Sequence, residues 1–301
     1  MNNIILGTWQ VGSPAWTTVD TWRAYETLFM AIDRGFDRID TAPSYGDGRS
    51  ESIVGEVVRH FSGKDIKVIS KVPPDMLSKK KLVESVEGSL SRLGVSQLDT
   101  LLIHWPTGTM GTEYVPIEQT LEALLFAKTS GLTKKIGICN YPLEDLGLID
   151  SIVHLDCVQY AYSLLFRGIE FGIHKFAINH GQEIMGYSPL AQGILTSRET
   201  VTDYASGDHR NNVILFHAKY RSKINSMLER LQGLLPPGVD LSSLSLSWVR
   251  SKGVTPIVGL HRPAHLHSIL SDPVLDEALF SQAEAICEEF KSDLGGRISL
   301  W

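Results

Sequence analysis

The sequence predicts an α/β fold, a single (β/α)8 (TIM) barrel over residues 1–301, from three observations. Short apolar runs rich in β-branched residues alternate with amphipathic stretches of helical length. Eight such units can be counted, which matches a barrel of typical size. The rival architecture, a doubly wound sheet, would need a glycine-rich turn after its first strand, and Gly7 and Gly12 lack the G-x-G-x-x-G spacing.

The predicted strands are the apolar runs, each followed by polar or turn residues. They are Ile4–Leu6, Arg38–Asp40, Lys67–Ser70, Thr100–Ile103, Lys135–Ile138, Cys157–Gln159, Ile184–Tyr187 and Pro256–Val258. The predicted helices lie between them, where apolar residues recur every three or four positions. They are Val19–Arg34, Ser50–Arg59, Leu77–Leu93, Ile117–Ser130, Leu143–Ser151, Gly172–His180, Leu241–Ser251 and Pro263–Leu270.

Local signals place several helix ends, and two segments exceed the repeat. Gly35, Gly94 and Gly131 each follow a predicted helix, where glycine readily adopts the left-handed conformation. Ser50 is a candidate cap for the second helix. Leu190–Asn212 is polar and is predicted as a long loop over the barrel mouth, and Asp276–Lys291 is predicted as a terminal helix.

Composition and charge narrow the classes of function. Hydrophobic residues make up 43% of the chain, which is enough for a substantial core. The net charge of −6 argues against a nucleic-acid surface, and no apolar run approaches the ~18 residues of a membrane span. We read no signal peptide in the N-terminal residues. Cys139, Cys157 and Cys287 are scattered without a C-x-x-C pair, so we expect no metal site, no disulfide framework and a cytoplasmic location.

Four polar side chains follow three neighbouring predicted strands. Asp40 and Tyr45 lie in RIDTAPSYG, Lys71 in VISKV and His104 in LLIHWP. Because the carboxyl ends of barrel strands meet on one face, we expect these groups to lie close together. A carboxylate, a phenol, an ammonium and an imidazole can together move a proton to or from a substrate oxygen.

Each of the four groups has a role in the reduction of a carbonyl. Negative charge develops on the carbonyl oxygen as its carbon accepts a hydride, and a general acid must protonate that oxygen. Tyr45 is the candidate acid, because a nearby Lys71 ammonium favours the phenolate and lowers the pKa of the phenol. Asp40 would hold Lys71 charged, and His104 would orient the carbonyl. Taken singly, each residue is more often a cap, a packing residue or a solvated side chain, so the prediction depends on their joint occurrence.

At these residues the chain resembles the aldo-keto reductase family. The segment DTAPSYG (40–46) is similar to the family's D-T-A-x-x-Y-G, and SKV and IHWP are similar to its lysine and histidine segments. SESIVG, IGICNY, VQYAYSLLFR, GYSPLAQGIL and PIVG follow in the family's order. The resemblance covers nearly the whole chain. It implies a (β/α)8 barrel with Tyr45 as proton donor, Asp40 and Lys71 as its tuning pair and His104 as the residue that orients the substrate.

The resemblance also implies a nicotinamide dinucleotide that binds without a Rossmann fold. Asn140 and Gln159 match the pair that hydrogen-bonds the carboxamide, and Tyr187 matches the aromatic residue that stacks under the nicotinamide. Each amide alone could instead be a strand-end cap. The other implied cofactor contacts lie at strand ends and in the loops that follow; they are Gly7, Thr8, Trp9, Ser188, Leu190, Gln192, Gly193, Ile257, Gly259, Arg262 and His265.

The chain departs from the family pattern at both ends of the barrel. The first barrel strand starts almost at Met1, so we expect the family's usual N-terminal β-hairpin to be missing. Cys139 stands where the family usually has a serine, and a thiol is a weaker donor. Ser268 and Ile269 replace a Glu-Asn pair that lies near the adenine in the family.

The segment after PIVG favours NADP(H) over NAD(H). Arg262 stands near the expected position of a 2′-phosphate, which a guanidinium suits, and His265 falls where many members have an arginine. His261, His265 and Ser268 have helical spacing and would share one face. A solvated helix surface is the alternative interpretation of these residues.

Tryptophans dominate the expected substrate pocket. Trp9, Trp16 and Trp105 follow strand ends near Tyr45, and they favour an aromatic or alicyclic carbonyl or the apolar face of a sugar. They could equally be ordinary core residues. The polar segment Ala205–Asn212 contains Asp208 and Arg210, which could contact a polar substrate.

Three functions are consistent with these residues. The first is an NAD(P)H-dependent oxidoreductase that interconverts an aldehyde, ketone or sugar and its alcohol, with only small molecules as partners. The second is a cofactor-binding regulatory protein on the same scaffold, with little turnover. The third is a Schiff-base lyase with Lys71 as nucleophile, which would need a lowered lysine pKa, and Asp40 nearby would have the opposite effect.

Overall fold

Eight parallel strands close into one barrel, in which each strand pairs with the next along the chain and the last pairs with the first. The computed structural model describes residues 3–196, 204–270, 273–296 and 298. The strands are β1 (Ile5–Gly7), β2 (Arg38–Asp40), β3 (Lys67–Val72), β4 (Leu98–Ile103), β5 (Thr133–Cys139), β6 (Cys157–Ala161), β7 (Glu183–Tyr187) and β8 (Thr255–Gly259). The predicted single-domain (β/α)8 fold is confirmed.

Helices surround the barrel and begin and end largely where the sequence signals lie. They are α1 (Thr21–Asp33), α2 (Arg49–His60), α3 (Lys79–Leu93), α4 (Ile117–Thr129), α5 (Leu143–Ile152), α6 (Ile173–Asn179), α7 (Arg221–Gly233), α8 (Leu241–Ser251), α9 (His265–Leu270) and α10 (Glu277–Asp293). Asp20 and Asp240 cap α1 and α8 by accepting backbone N–H bonds. Gly35, Gly94 and Gly131 all have positive φ, as predicted for helix C-termini.

Apolar side chains fill the middle of the barrel, and polar groups lie at its two ends. Ile5, Ile69, Leu102, Met185 and Ile257 pack inside it with two of the three buried, unpaired cysteines. A second, larger layer of apolar side chains lies between the strands and the surrounding helices. Because the interior is packed, a ligand can reach the strands only from the ends of the barrel.

Helix α7 is absent from the predicted elements, although its pattern is readable. Ile224, Met227, Leu228 and Leu231 are buried at helical spacing. The helix packs against α10, where Arg230 forms an ion pair with Glu289. Two helices, α7 and α8, therefore lie between β7 and β8, rather than the single one predicted.

Ser50 does not cap α2, which corrects the prediction. The residue before the helix is Gly48, whose φ of 78° is left-handed, and no side chain caps this end. Ser50 is fully buried in the first turn, where its Oγ donates to the Thr8 carbonyl oxygen at 3.1 Å and lies 3.0 Å from Thr41 Oγ1. It joins α2 to the ends of β1 and β2 and so fixes the loops that carry the site.

The predicted loop over the mouth, Leu190–Asn212, contacts the loop after β1. The N–H of His209 donates to the Ala15 carbonyl oxygen at 2.8 Å, and Asp208 accepts from the N–H and hydroxyl of Thr17. Residues 197–203 of this loop lie outside the described residues. The two loops are thus joined across one side of the mouth.

Two further expectations concern an N-terminal β-hairpin and membrane-spanning helices. Among the described residues β1 is the first strand, and no hairpin precedes it. Within the same residues no helix combines the length and the apolar character that crossing a bilayer requires.

Candidate active site

One cavity of about 810 Å³ opens at the carboxyl ends of the strands. All the predicted site residues line it except Lys71, which lies beneath it, and Asp208. They come from all eight strands or the loops that directly follow, so residues far apart in sequence meet here because parallel barrel strands share one carboxyl-terminal face.

The cavity floor consists of Asp40, Tyr45, Lys71 and Gln159, joined by short hydrogen bonds. Lys71 Nζ donates to Asp40 Oδ1 at 2.7 Å, to the Thr41 carbonyl oxygen at 2.9 Å and to Tyr45 Oη at 3.1 Å. Asp40 and Lys71 are only 3% and 1% exposed, so this ion pair is effectively removed from water. An ammonium has three hydrogens, and all three are used.

Burial and the contacts within the floor set the direction of the pKa shifts of Tyr45 and Lys71. Burial raises the pKa of Tyr45 to about 12, although Lys71 acts in the opposite direction. The prediction that Lys71 lowers the pKa of Tyr45 is therefore correct for the interaction between these two residues. It is wrong for the net pKa of Tyr45, which is raised. Burial acts to lower the pKa of Lys71, but Asp40, Tyr45 and Cys139 together outweigh burial and raise that pKa. Lys71 stays charged beside the phenol.

His104 lies beside Tyr45 as a neutral imidazole. Their ring centroids are 5.6 Å apart in an edge-on arrangement. Burial, assisted by the Lys71 charge, holds the pKa of His104 well below its usual range. Its Nδ1 lies 3.3 Å from Ser44 Oγ, so a hydroxyl on the catalytic loop can fix the ring. A neutral imidazole can donate one hydrogen bond to a substrate oxygen without carrying charge itself.

Two amides face the cavity above the floor. Asn140 Nδ2 donates to the His104 carbonyl oxygen at 3.2 Å, and its Oδ1 accepts from Tyr187 Oη at 2.9 Å. Gln159 Nε2 donates to Asp40 Oδ2 at 2.8 Å, and its Oε1 accepts a weak contact from Cys139 Sγ at 3.8 Å. An amide has two donor hydrogens and two acceptor lone pairs. Asn140 and Gln159 therefore each have one donor hydrogen and one acceptor lone pair left for a ligand.

The loop after β7 holds several residues in the left-handed conformation that glycine usually occupies. The φ angles of Ser188, Ala191 and Gln192 are 54°, 47° and 56°, followed by Gly193 at 106°. Such non-glycine residues store strain, which is typical of ligand-binding loops. The Gln192 Oε1 atom is buried without a hydrogen-bond partner among the described residues, so it can accept from a ligand. Together with the remaining donors and acceptors of Asn140 and Gln159, the Gln192 oxygen forms a set of groups that fits a dinucleotide carrying an amide.

The β8 rim, defined as His261, Arg262, His265 and Ser268, forms the far end of the cavity. His261 and His265 meet edge-on with ring centroids 4.5 Å apart, although His261 precedes α9 rather than lying on it. Burial lowers the pKa of His261 to about 4 and also lowers that of His265. Arg262 is exposed, and its side chain makes no hydrogen bond or ion pair with the described residues. It is the charged group of the rim that a ligand can reach.

Aromatic rings form the wall next to Tyr45. Trp9 lies 6.4 Å from the Tyr45 ring and 5.2 Å from Trp16, measured between centroids, and Trp105 also lines the cavity. The Arg210 guanidinium lies over both the Trp16 and the Tyr204 rings, at 4.9 and 3.6 Å. This wall suits a flat or apolar substrate body.

Asp208 does not line the cavity, which corrects its prediction as a substrate contact. Its carboxylate accepts from Thr17 and from the Arg210 guanidinium, with distances of 2.8 to 3.1 Å. Burial acts to raise the pKa of Asp208, but these bonds outweigh it and hold the pKa at about 2. Asp208 therefore fixes Arg210 and the loop, and only Arg210 faces the cavity.

Several cavity residues are missing from the predicted set. They are Gln10, Thr18, Ser44, Pro73, Pro74, Met110, Pro189, Ile194, Thr196, Tyr204, Phe216, Asp240, Ser242, Leu246, Val258, Leu260, His261, Ala264, Ser268 and Ile269. Ser44 could have been inferred from its position directly before Tyr45. Asp240 carries no local signal beyond a helix cap; only the fold brings it to Ser268, whose hydroxyl donates to its Oδ2 at 2.7 Å.

Comparison with known proteins identifies the family of this barrel. A model of the Aldo/keto reductase family matches residues 3–288. Aldo-keto reductase YhdN of Bacillus subtilis is 28% identical over 282 residues, covering 89% of this chain and 84% of the relative. The NADH-specific methylglyoxal reductase of Escherichia coli is 31% identical over 266 residues, covering 81% of this chain and 80% of the relative.

A solved structure shows the same fold with a cofactor. The aldo/keto reductase from Klebsiella pneumoniae, in complex with NADP and acetate, superposes with a TM-score of 0.71 at 27% identity. The match covers 94% of this chain and 90% of that one. The E. coli relative is named for NADH and this structure holds NADP, so similar chains differ in the dinucleotide they use.

Proposed function

The chain belongs to the aldo/keto reductase family, and from this premise we propose that it interconverts a carbonyl and its alcohol with Tyr45 as general acid and base. The observation that carries the proposal is the floor, where the buried Lys71 ammonium lies 3.1 Å from Tyr45 Oη. A bound nicotinamide supplies the hydride to the carbonyl carbon or accepts it from the alcohol.

The protein's own groups handle the proton. During reduction, negative charge develops on the substrate oxygen, and the Tyr45 hydroxyl donates its proton to it. The positive charge of Lys71 stabilises the phenolate that remains, and Asp40 keeps Lys71 charged. In alcohol oxidation the phenolate takes the proton back. The pKa of Tyr45 is about 12 in the free protein even with this charge beside it, so the phenol is protonated near neutrality and can donate its proton.

His104 is proposed to hold the substrate oxygen between itself and Tyr45. If the Ser44 hydroxyl donates to Nδ1, the ring proton lies on Nε2 and can be donated to the substrate. A neutral donor at this place orients the carbonyl without competing with Tyr45 for the proton transfer. Trp9 and Trp16 would flank the rest of the substrate and exclude water from the reacting oxygen.

The residues present fit the cofactor that the family uses. Asn140 and Gln159 would hold the carboxamide, Tyr187 would pack on the ring, and the loop from Ser188 to Gly193 would follow the pyrophosphate. We propose NADP(H) rather than NAD(H), because Arg262 is an exposed guanidinium on the β8 rim that pairs with none of the described residues. A cytoplasmic setting, where thiols stay reduced, agrees with the three unpaired cysteines.

The lyase alternative conflicts with the geometry of Lys71. A lysine nucleophile needs a free, neutral amine that reaches the substrate. Lys71 does not line the cavity, and all its hydrogens are donated to protein oxygens. We therefore do not assign it a covalent role.

A substrate screen with one variant tests the proposed function. The protein is mixed with NADPH or NADP⁺ and a panel of aldehydes, ketones, sugars and alcohols, and the absorbance of the reduced nicotinamide is followed. Tyr45→Phe should lower kcat by about 10²- to 10⁴-fold, the usual contribution of general acid catalysis, with cofactor affinity retained. Near-normal turnover of this variant would remove Tyr45 as proton donor. Absence of turnover with every substrate, with tight cofactor binding, would instead support the regulatory alternative.

A further inference from the structure

We infer that Gln159 is a positioning residue for the acid–base chemistry: it fixes the carboxylate of Asp40 on one side and faces the cofactor position on the other. This inference rests on the proposed function and deepens it, because it gives one amide two tasks. Under that proposal Asn140 and Gln159 both hold the carboxamide, but their amides contact different groups of the protein.

A continuous series of hydrogen bonds leads from Gln159 to the proton donor. Gln159 Nε2 donates to Asp40 Oδ2 at 2.8 Å, and Asp40 Oδ1 accepts from Lys71 Nζ at 2.7 Å. Lys71 Nζ in turn donates to Tyr45 Oη at 3.1 Å. Gln159 is 3% exposed, so no water competes freely for these bonds.

Gln159 is needed because the Asp40 carboxylate has few partners. Among the described residues its side-chain oxygens accept hydrogen bonds from two groups, Lys71 on Oδ1 and Gln159 on Oδ2. A buried carboxylate oxygen without a donor is costly. Removing the amide donor leaves Oδ2 without a partner, so the carboxylate is no longer held in the orientation that fixes Lys71 Nζ.

A displaced ion pair would weaken the acid–base group. Lys71 contacts the Tyr45 hydroxyl directly, whereas Asp40 reaches it only through Lys71. A Lys71 ammonium drawn away from Tyr45 Oη stabilises the phenolate less, so Tyr45 becomes harder to ionise. Cys139 Sγ contributes by holding Gln159 Oε1, which keeps the amide nitrogen turned toward Asp40.

Asn140 provides a matched control on the same cavity wall. Its amide contacts the His104 carbonyl oxygen and Tyr187 Oη and makes no bond to Asp40. Its φ of 63° suits glycine, so Asn140→Gly removes the amide without backbone strain. Both Gln159→Met and Asn140→Gly should weaken cofactor binding, whereas only the first should alter the ionisation of Tyr45.

The first measurement uses the protein without cofactor. A fluorinated tyrosine, more acidic than tyrosine, is incorporated at position 45, and its ionisation is followed by ¹⁹F NMR as the pH is raised. Gln159→Met should raise the midpoint by about one pH unit, as expected when a neighbouring positive charge moves away from the phenol. Asn140→Gly should leave the midpoint within a few tenths of a unit. An unchanged midpoint in Gln159→Met overturns the inference.

The second measurement uses the enzyme with NADP⁺ and an alcohol identified in the substrate screen. The pH at which kcat for oxidation reaches half its maximum should rise in Gln159→Met and stay unchanged in Asn140→Gly, while KM for cofactor rises in both. Equal midpoints in the two variants would reduce Gln159 to a cofactor contact. Should no substrate be found, the proposed function fails, and the NMR titration still decides the role of Gln159.

A second variant covers the case in which Gln159→Met does not fold, as judged by circular dichroism. Gln159→Asn keeps an amide but is one methylene shorter, so its nitrogen is withdrawn from Asp40 Oδ2. The Tyr45 midpoint should again rise. A midpoint equal to that of the unmodified protein, or a lower one, would contradict the inference.

Discussion

The floor and the β8 rim lie at opposite parts of one cavity and are built in different ways. On the floor, Asp40, Lys71 and Gln159 are almost completely buried, and Lys71 and Gln159 both donate to the Asp40 carboxylate within 3 Å. On the rim, Arg262 is exposed and has no partner among the described residues. The charged groups of the floor are therefore held by hydrogen bonds within the protein, whereas the guanidinium of the rim makes none with the described residues.

The difference follows from where the residues sit on the barrel. Floor residues lie on strands β2, β3 and β6 or on the loop just after β2, so strand register fixes them. Rim residues lie on the segment after β8 and on the short helix α9. Changes to the floor should therefore alter stability and chemistry together, and changes to the rim should alter only ligand selection.

The largest effect is expected when the floor loses a charge. Asp40→Asn leaves the Lys71 ammonium buried without its counter-ion, so the free energy of unfolding should fall by about 3–5 kcal/mol. Urea denaturation measures this loss. The double variant Asp40→Asn, Lys71→Met removes both charges and should recover part of it. A loss below about 1 kcal/mol in the single variant would show that the floor is not structurally coupled as described.

A smaller effect, confined to ligand binding, is expected on the rim. Arg262→Ala should raise the KM for NADPH about tenfold or more, as for a lost charge-assisted hydrogen bond, and change that for NADH little. Its free energy of unfolding should stay within about 0.5 kcal/mol of the unmodified protein. Arg23→Ala, on the exposed surface of α1, controls for the loss of one positive charge. Equal effects on both cofactors would remove the 2′-phosphate assignment.

The smallest effect is expected at Asp208, which is buried like the floor but lies on a loop like the rim. Its folded pKa of about 2 is below the unfolded value near 3.9, so its stabilisation is present above about pH 4 and is lost as the pH falls toward 2. The thermal midpoint of Asp208→Asn should thus fall less between pH 4 and pH 2 than that of the unmodified protein. Asp65→Asn, exposed before β3, controls for the lost charge. Parallel slopes for all three proteins would contradict this assignment.

Particular residues show how far sequence reasoning reaches into the site. The contact of Lys71 with Asp40 and Tyr45 follows from their positions at strand ends, because a barrel brings such ends together. The positions of Ser50 and Asp208 do not follow from sequence. A serine before an apolar run resembles a cap, and an aspartate in a polar loop resembles an exposed residue, yet both are buried against partners distant in sequence.

The sequence by itself determined the barrel and indicated the residues proposed for acid–base chemistry, because strand and helix periodicity and short motifs are local properties of the chain. Helix α7 belongs to this class as well, since its pattern is present in the sequence even though it is absent from the predicted elements. The tertiary structure decided the quantities that depend on packing. It determined that burial outweighs Lys71 in setting the pKa of Tyr45, and that Gln159 bonds to Asp40 across 119 positions of the chain. Desolvation and contacts between distant residues arise only when the chain is folded, so no local pattern encodes them.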